Sequence, residues 1–239
     1  MTYGVFSLEQ LAEYLHLSIA DVEQLVRHQE IPFTTQGGRP VFLRGEIDAW
    51  ASQRILGLSG EELVDYHKTS SAKTHDLSAG HALIPELMRP ACIAPALAAK
   101  TKNAVIRAMV KLAEQTELLN YPADLLEGIC EREQMCSTAL AGGIALLHTN
   151  RHEPYLFEDT FIVLGRTPQP VPFGSPDGRT TDLFFLLCTQ DDRMHLHLLA
   201  RLCMLCYQTS VLVNLRDAPD ADGMFARLVE AEKDLLRSL

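Results

Sequence analysis

Two histidines and an arginine in the second half of this 239-residue chain have side chains suited to chemistry: His148, His195 and Arg132. A neutral imidazole is a nucleophile near neutral pH, because its unperturbed pKa is about 6.5. The planar guanidinium of arginine matches the oxygens of a phosphate group. These residue types meet the needs of phosphoryl transfer to a histidine, although a histidine after a strand is by itself more often a structural residue than a nucleophile.

The elements predicted around these residues bring both histidines to places where ligands bind. His148 directly follows the apolar run Ile144–Leu147, which predicts a buried strand, and the glycine pair before that run predicts a turn. Ligands of α/β folds usually bind at the end of such a strand. His195 lies in the first turn of a helix predicted over 193–207, where the helix dipole favours an anion.

The rest of the second half alternates between strand-like and helix-like patterns. Apolar runs at 160–164 and 183–188 predict two further strands that are buried on both faces. Such strands need helices on both sides of the sheet. The sequence therefore predicts an α+β fold, a three-layer α/β/α sandwich with a mixed sheet. The accompanying helices are predicted at 102–115, 122–133, 193–207 and 220–236.

The first part of the chain has the pattern of helix, turn, helix and β-wing. Ser7 and Gln10 are spaced as a capping box at the start of one helix, and Ser18 can cap a second helix. A glycine turn leads to an alternating strand at 39–44, and a third helix follows. The order of the motifs S-L-x-x-L-A-x-x-L, I-P, G-G-R and D-A-W resembles the winged helix-turn-helix of the MerR and excisionase families. Between the two parts the chain is polar, so we expect a helix-turn-helix region over 1–57, a linker over 58–82 and the sandwich over 83–239.

The helix-turn-helix resemblance implies DNA contacts from the second helix and the wing. Residues 1–57 nevertheless carry four basic against seven acidic residues, a net charge of −3, which is unfavourable for binding a polyanion. Protein binding or dimer formation by the same fold is an equally open interpretation. The side chains suited to DNA contacts are Gln24, Arg27, His28, Arg39 and Arg44.

Around His148 the sequence resembles a known family. Enzyme IIA proteins of the fructose, mannitol and nitrogen-regulatory class read R-E-x-x-x-S-T-x-x-x-x-G-I-A-I-P-H-G. The second half of the chain, from about residue 84 to its end, is similar to the nitrogen-regulatory enzyme IIA of the bacterial phosphoenolpyruvate:sugar phosphotransferase system. Leu147 and Thr149 replace the proline and glycine of that pattern. The residues that match at the same spacing are Arg132, Glu133, Ser137, Thr138, Gly143, Ile144, Ala145 and His148.

This resemblance implies a site and a partner. His148 would accept a phosphoryl group from a histidine phosphocarrier, Arg132 and His195 would neutralise its charge, and Ser137 or Thr138 would donate hydrogen bonds. Two alternatives stay open: an interaction module that has kept the fold and lost phosphotransfer, and a plain DNA-binding regulator. A regulatory target protein, DNA and a second copy of the chain are further partners that we consider. His152 and His197 are interpreted as surface residues.

Composition excludes several other classes. The chain has 21 basic and 31 acidic residues and a formal net charge of −10, which argues against a general electrostatic grip on nucleic acid. Its apolar runs are far shorter than the roughly 20 residues that span a bilayer, and no signal-peptide pattern is present, so we expect a cytoplasmic protein without a membrane partner. The six cysteines, including Cys203 and Cys206 of a C-x-x-C pair, are interpreted as reduced core residues. No ligand spacing indicates a metal, and we expect no cofactor.

Overall fold

The structure is a computed structural model that describes residues 4–15, 17–58, 60–71, 81–149 and 153–238. The described residues form a three-stranded sheet in the N-terminal region and a five-stranded sheet in the second half. His152, interpreted above as a surface residue, and the stretch 72–80 of the expected linker lie outside the described residues.

The N-terminal region has the predicted helix-turn-helix with a wing. Its helices are α1 (Leu8–Tyr14), α2 (Ile19–Arg27) and α3 (Arg44–Gly57), and its antiparallel strands β1 (Val5–Phe6), β2 (Thr34–Gln36) and β3 (Arg39–Leu43) lie in the order β1-β3-β2. The predicted capping box of α1 is confirmed: the Gln10 amide donates to the Ser7 hydroxyl at 3.3 Å, and the Ser7 amide donates to the Gln10 side chain at 2.9 Å. Ser18 caps α2 in the same way. These caps explain why both helices begin where the sequence predicts.

A fourth helix, α4 (Gly60–Ser71), occupies part of the stretch where an irregular linker was expected. Leu63 and His67 are both fully buried, and their spacing of four residues places them on one face of this helix. Because that buried face includes a histidine, its apolar stripe is too thin to be recognised in the sequence. The prediction of a polar, unstructured connection was therefore wrong for residues 60–71.

The second half forms a mixed sheet with the order β4-β7-β8-β6-β5. Strands β6 and β8 pair in parallel, as do β4 and β7, whereas β7 with β8 and β5 with β6 pair antiparallel. The strands are β4 (Ile93–Ala94), β5 (Ala139–Leu140), β6 (Ile144–Leu147), β7 (Phe161–Val171) and β8 (Thr181–Cys188). The helices are α5 (Ile84–Leu87), α6 (Lys102–Glu114), α7 (Pro122–Met135), α8 (Asp192–Gln208), α9 (Val211–Asp217) and α10 (Ala221–Ser238), with short 3₁₀ turns at Pro90–Cys92 and Pro154–Leu156.

Helices cover both faces of this sheet, as two neighbouring residues of β7 demonstrate. A Cβ added at Gly165 would lie 2.7 Å from the sulfur of Met109 in α6. The next residue, Arg166, donates to the carbonyl oxygen of Leu215 in α9 at 2.7 Å. Successive strand residues point to opposite faces, so α6 and α9 lie on opposite sides. The predicted three-layer α/β/α sandwich is therefore confirmed.

No single helix in the described part of the chain is long and apolar enough to cross a membrane. Helices α8 and α9 meet that requirement of length and composition only as a pair, and they are bent by 80° at the break between them. In this structure the apolar side chains of α8, such as Leu198 and Leu202, are buried in the sandwich.

The N-terminal region lies against the sandwich through α8, because α3 and α4 both pack on that helix. Ser52 of α3 contacts His195 of α8, and His67 of α4 contacts Arg201 one and a half turns further along. The contact between the two halves of the molecule therefore includes one of the predicted site residues.

Candidate functional site

His148 is positioned by a hairpin whose turn depends on glycine. Strand β5 turns into β6 through Gly142 and Gly143, whose φ values are +91° and +81°, a region that L side chains rarely adopt. A Cβ at Gly143 would lie only 2.7 Å from the guanidinium of Arg216. The turn sends β6 into the middle of the sheet beside β8, and His148 follows directly at its carboxyl end.

Both ring nitrogens of His148 have partners, and these partners fix its protonation state. Nδ1 lies 2.8 Å from the carbonyl oxygen of Leu146, which can only accept a hydrogen bond, so Nδ1 carries a proton. Nε2 lies 3.1 Å from Nε of Arg132, which can only donate, so Nε2 presents a lone pair. The contacts therefore hold the neutral tautomer whose Nε2 is nucleophilic.

Arg132, in the last turn of α7, is a buried cation about 1 % exposed. Its Nη1 donates to the carbonyl oxygen of Cys136 at 2.9 Å. Nε and Nη2 form one edge of the planar group, and Nη2 has no hydrogen-bond partner among the residues that the structure describes. The neighbouring Glu133 pairs with Lys102 instead, at 2.7 Å. The edge of Arg132 that faces His148 thus has a spare donor and no contacting carboxylate.

His195 lies in the first turn of α8, as predicted, beyond an N-cap at Asp191 whose carboxylate accepts from the Met194 amide at 2.9 Å. The centre of its ring lies 4.8 Å from that of His148. Its Nε2 is 3.2 Å from the hydroxyl of Ser52 in α3. The structure thus brings His148, Arg132 and His195 together and adds Ser52, which the sequence did not indicate.

The two hydroxyls expected near the phosphate have other partners in this arrangement. Ser137 donates to the carbonyl oxygen of Phe173 at 2.8 Å. Thr138 donates through its hydroxyl to Glu133 at 2.6 Å, and its backbone amide donates to the same carboxylate at 3.1 Å. Lys102 completes this network through Glu133. These contacts hold the segment between α7 and β5 in place and do not reach the two imidazoles.

The two residues that replace the proline and glycine of the enzyme IIA pattern fit into the fold. Leu147 is fully buried and pairs in register with Leu186 of β8. Thr149 packs against α7, where a Cβ at Gly128 would come within 3.0 Å of its methyl group. The absence of a side chain at residue 128 therefore makes room for the threonine beside His148.

A second buried cluster lies further along α8, and the sequence analysis missed it. Arg201 donates through Nε to Nε2 of His67 at 3.0 Å and pairs with Glu232 of α10 at 2.9 Å. His197, interpreted above as a surface residue, is buried, with its ring centre 4.5 Å from that of His67. Burial, reinforced by Arg201 and His197, lowers the pKa of His67 to about 3. The surface interpretation of His197 was wrong because α4, not solvent, covers this part of α8.

The candidate DNA contacts of the N-terminal region lie on α2, its C-cap, β3 and α3. Arg44, expected in the wing, instead begins α3, and its guanidinium lies 5.2 Å from the centre of the Phe6 ring. The wing therefore contributes one arginine where two were expected. The exposed candidates on α2, its C-cap and the wing are Gln24, Arg27, His28 and Arg39.

The C-x-x-C pair is part of the core, as predicted. Cys203 and Cys206 are buried, free thiols inside α8, and burial raises the pKa of Cys206 to about 12. Cys130 and Cys136 are only half-buried, which corrects the expectation that all six are buried. In the described ranges, no group of three or more His, Cys, Asp or Glu residues is placed to hold a metal ion.

Comparison with known proteins assigns the chain to a family. Residues 86–231 match the family described as "Phosphoenolpyruvate-dependent sugar phosphotransferase system, EIIA 2", and residues 5–55 match a helix-turn-helix domain. The first match covers more than half of the chain. The protein therefore belongs to the EIIA 2 family of the phosphotransferase system and carries an N-terminal helix-turn-helix domain.

Within that family the chain is similar to nitrogen regulatory proteins. It is 29% identical over 147 residues to the nitrogen regulatory protein of Bradyrhizobium diazoefficiens, which covers 61% of this chain and 94% of the relative. The crystal structure of nitrogen regulatory protein IIA-Ntr from Neisseria meningitidis matches with a TM-score of 0.55 and 28% identity, over 62% of this chain and 99% of its own. The mannitol enzyme IIA of Escherichia coli, in its complex with phosphorylated enzyme IIB, shares the fold, with a TM-score of 0.52 and 19% identity over 60% of this chain and 97% of that chain. The second half is thus an EIIA 2 domain that is similar to nitrogen regulatory proteins.

Proposed function

We propose that this protein accepts a phosphoryl group on Nε2 of His148 from the histidine phosphocarrier of a phosphotransferase system. The observation that carries this proposal is a nucleophilic imidazole beside a buried arginine that contacts no carboxylate among the described residues. A buried cation of this kind is costly unless an anion neutralises it. A phosphoryl group on His148 would supply that anion.

In the proposed step the lone pair on Nε2 of His148 attacks the phosphorus atom carried by a histidine of the donor. A bond forms between phosphorus and Nε2, and the bond between phosphorus and the donor nitrogen breaks, with its electron pair returning to the donor ring. The His148 ring becomes positively charged, and its Nδ1 proton stays in the hydrogen bond to Leu146. That carbonyl dipole stabilises the charged ring.

Arg132 and His195 are proposed to hold the transferred group. Nε and Nη2 of Arg132 lie on one edge of the guanidinium and can donate to two phosphoryl oxygens. His195 adds its ring, 4.8 Å from that of His148, and the anion-favouring end of α8. Ser137 and Thr138 are proposed to position the segment between Arg132 and β5, since their hydroxyls donate to Phe173 and Glu133.

The experiment is incubation of the full-length protein with radiolabelled phosphoenolpyruvate, enzyme I and the phosphocarrier. The wild type should acquire label that is stable in alkali and labile in acid, as expected for phosphohistidine. His148→Ala should acquire none, whereas His28→Ala, which removes an exposed histidine of the N-terminal region, should be labelled like the wild type. Absence of label from both the wild type and a variant in which His148 is accessible to the phosphocarrier would contradict the proposal and favour an interaction module.

We also propose that the N-terminal domain delivers the regulatory output by contacting DNA. The specific observation is that Gln24, Arg27, His28 and Arg39 stay exposed while α3 and α4 pack on α8. Because the charge of residues 1–57 is unfavourable, binding should be weak and should fall steeply between about 50 and 200 mM salt. A mobility shift on the promoter of the chain's own gene, with Arg27→Ala as the variant and Glu23→Gln as the control, tests this. No shift at low salt would favour a protein target.

We propose the domain boundaries expected from the sequence, with a helix-turn-helix domain over 1–57 and an enzyme IIA domain over 83–239. Helix α4 is assigned to the N-terminal part, because it packs on α8 together with α3. The proposed partner and reaction place the protein in the cytoplasm, where a phosphocarrier is found.

A further inference from the structure

A donor protein must reach Nε2 of His148, yet in this structure the ring is covered. His148 and His195 are each about 1 % exposed. For attack, the phosphorus atom has to come within about 3 to 3.5 Å of the nucleophile. A phosphohistidine carried on another protein cannot come that close to a buried ring. The site in this arrangement is therefore assembled but closed.

The N-terminal region provides part of the cover. Ser52 of α3 is itself about 2 % exposed and lies 3.2 Å from Nε2 of His195. Beside it, α4 packs on the same helix, where its His67 accepts a hydrogen bond from Arg201 at 3.0 Å. The surface that these two helices occupy begins at the site and runs along α8.

We propose that α3 and α4 act as an autoinhibitory cover, and that their docking on α8 and a phosphoryl group on His148 exclude each other. This inference rests on the phosphotransfer proposed above. It gives the N-terminal domain control over access to His148. It also gives the phosphorylation of His148 a consequence, which is release of the N-terminal domain.

Space is the first reason for this exclusion. A phosphoryl group adds a phosphorus and three oxygens at Nε2 of His148, an atom that already contacts Arg132 at 3.1 Å. Protein interiors are close-packed, so a group of this size is not absorbed without displacing a neighbour. If His195 turns to donate to the phosphoryl oxygens, its Nε2 can no longer contact Ser52.

Charge is the second reason. Residues 1–57 carry a net charge of −3, and α4 adds Glu61, Glu62 and Asp65 against Lys68. The phosphoryl group itself carries close to two negative charges at neutral pH, and the positive charge of the protonated ring offsets only one of them, so phosphorylation adds net negative charge to the site. Placing that charge beneath an acidic domain is unfavourable, and the repulsion favours undocking.

Docking of the N-terminal helices and phosphorylation of His148 are thermodynamically linked, so each weakens the other by the same factor. Docking reduces the equilibrium affinity of the site for a phosphoryl group by the same factor by which the phosphoryl group weakens docking. If the closed form exceeds the open form about tenfold, the apparent rate of phosphorylation falls about tenfold. Opening the cover by mutation should therefore accelerate phosphotransfer.

The opening variant is Ser52→Arg in the full-length chain, because Ser52 is about 2 % exposed and in contact with His195, so an arginine side chain at this position cannot be accommodated in the docked form. The matched control is Gln53→Arg, which places the same side chain on the exposed face of α3 one residue away. Leu63→Asp, on the buried face of α4, opens the contact without touching the site. The initial rate of label transfer from the phosphorylated phosphocarrier should rise at least about tenfold in Ser52→Arg and Leu63→Asp and stay unchanged in Gln53→Arg.

A second measurement reports access without the phosphocarrier. Diethyl pyrocarbonate modifies accessible imidazoles, and mass spectrometry locates the modified residue. Modification of His148 should be slow in the wild type and in Gln53→Arg and at least about tenfold faster in Ser52→Arg. In the reverse direction, the phosphorylated wild type should show faster amide hydrogen exchange in α3 and α4 than the unphosphorylated protein.

The outcomes separate the two proposals. Equal transfer rates and equal His148 modification in the wild type and Ser52→Arg would overturn the autoinhibitory cover and leave phosphotransfer intact. If no variant acquires label while Ser52→Arg alone exposes His148 to modification, the cover exists and the proposed phosphotransfer is wrong. Unchanged hydrogen exchange in α3 and α4 after phosphorylation would overturn the mutual exclusion.

Discussion

The two arginines buried around α8 make the same contact with a histidine and differ in what balances their charge. Nε of Arg132 donates to Nε2 of His148 at 3.1 Å, and Nε of Arg201 donates to Nε2 of His67 at 3.0 Å. Arg201 also pairs with the fully buried Glu232 at 2.9 Å. Among the described residues, Arg132 has no such carboxylate. A histidine that accepts from an arginine is therefore not, by itself, the mark of a phosphate site.

The difference lies in what Nη1 of each guanidinium contacts: Nη1 of Arg201 donates to the carboxylate of Glu232, and Nη1 of Arg132 donates to the carbonyl oxygen of Cys136. Glu232 neutralises Arg201 and is in turn satisfied by the amides of Leu83 and Ile84, at 3.0 and 2.9 Å. The charge of Arg201 is therefore balanced within the fold. Among the residues that the structure describes, Nη2 of Arg132 has no hydrogen-bond partner, and in the proposed phosphotransfer the group on His148 would supply one. The molecule thus has a structural cluster, formed by Arg201, His67 and Glu232, and a candidate reactive cluster, formed by Arg132, His148 and His195.

The largest effect is expected from breaking the structural cluster. Arg201→Met leaves the carboxylate of Glu232 buried without its cation, which should lower the free energy of unfolding by about 3 to 5 kcal/mol. Urea denaturation followed by circular dichroism measures this. Adding Glu232→Gln to the same chain removes the orphaned charge, keeps a side-chain acceptor for the amides of Leu83 and Ile84, and should restore part of the loss. A single variant that loses less than about 1 kcal/mol would show that the pair is not buried in solution.

A substitution in the reactive cluster should instead lower the rate of phosphotransfer and leave the free energy of unfolding nearly unchanged. Arg132→Gln removes the cation that the transferred group needs, so the rate of phosphotransfer to His148 should fall about 10²- to 10³-fold. The free energy of unfolding should change by less than about 1 kcal/mol, because the variant also removes an unbalanced buried charge. Single-turnover transfer from the phosphocarrier and urea denaturation of the same preparation measure the two quantities. A large loss of stability with an unchanged rate would reverse the assignment of the two clusters.

The reactive cluster was predictable from the sequence because its residues are tied to regular elements. The apolar run of β6 fixes His148 at the end of a strand, and the length of α7 and the hairpin returns Arg132 to the same place. The N-cap at Asp191 fixes His195 in the first turn of α8. Each of these positions follows from local sequence patterns. The spacing of the enzyme IIA motif then predicts that the three side chains lie in one site.

The structural cluster and the cover were not predictable, because they depend on contacts between distant segments. Ser52 and His195 are 143 residues apart, and no periodicity in α3 distinguishes a serine that faces α8 from one that faces water. Arg201 and Glu232 are charged residues that sequence patterns place at a surface. Strand β7 extends seven residues past its predicted end, through Pro168 and Pro170, with an irregular register between Arg166 and Val171. In a sequence, prolines argue against a strand, although a folded sheet tolerates them at irregularities of the strand register such as β-bulges.

A smaller effect should show whether the hydroxyls of Ser137 and Thr138 only position the segment between α7 and β5 or contact the phosphoryl group directly. Thr138→Val removes the hydroxyl that donates to Glu133 at 2.6 Å and should cost about 1 to 3 kcal/mol of unfolding free energy. If the hydroxyl only positions the segment, the transfer rate should fall by less than about tenfold, well short of the 10²-fold of a lost transition-state donor. Ser137→Ala, whose hydroxyl donates to Phe173, serves as the comparison. A 10²-fold loss of rate at unchanged stability would restore the direct phosphate contact that the family resemblance implies.

The smallest effect is a dependence of stability on pH that originates in the structural cluster. Burial, with Arg201 and His197 nearby, lowers the pKa of His67 to about 3, whereas the unfolded chain titrates near 6.5. Between these values the unfolded state binds a proton that the folded state excludes, so stability is complete above pH 6.5 and falls as the pH decreases through this window. The slope contributed by His67 is at most about 1.4 kcal/mol per pH unit.

His67→Gln keeps a side-chain acceptor for Arg201 and cannot titrate, so the slope between pH 6.5 and 4.5 should be shallower in this variant than in the wild type. Asp48 contributes with the opposite sign, because burial raises its pKa to about 6 and the folded state then binds the proton first as the pH falls. Urea denaturation is therefore best compared in an Asp48→Asn background. The depressed pKa of His67 exists only while α4 is packed on α8, so the difference in slope also measures docking of the N-terminal helices. Identical slopes with and without His67 would mean that the imidazole is open to protons in the folded protein, and that α4 does not stay on α8 in solution.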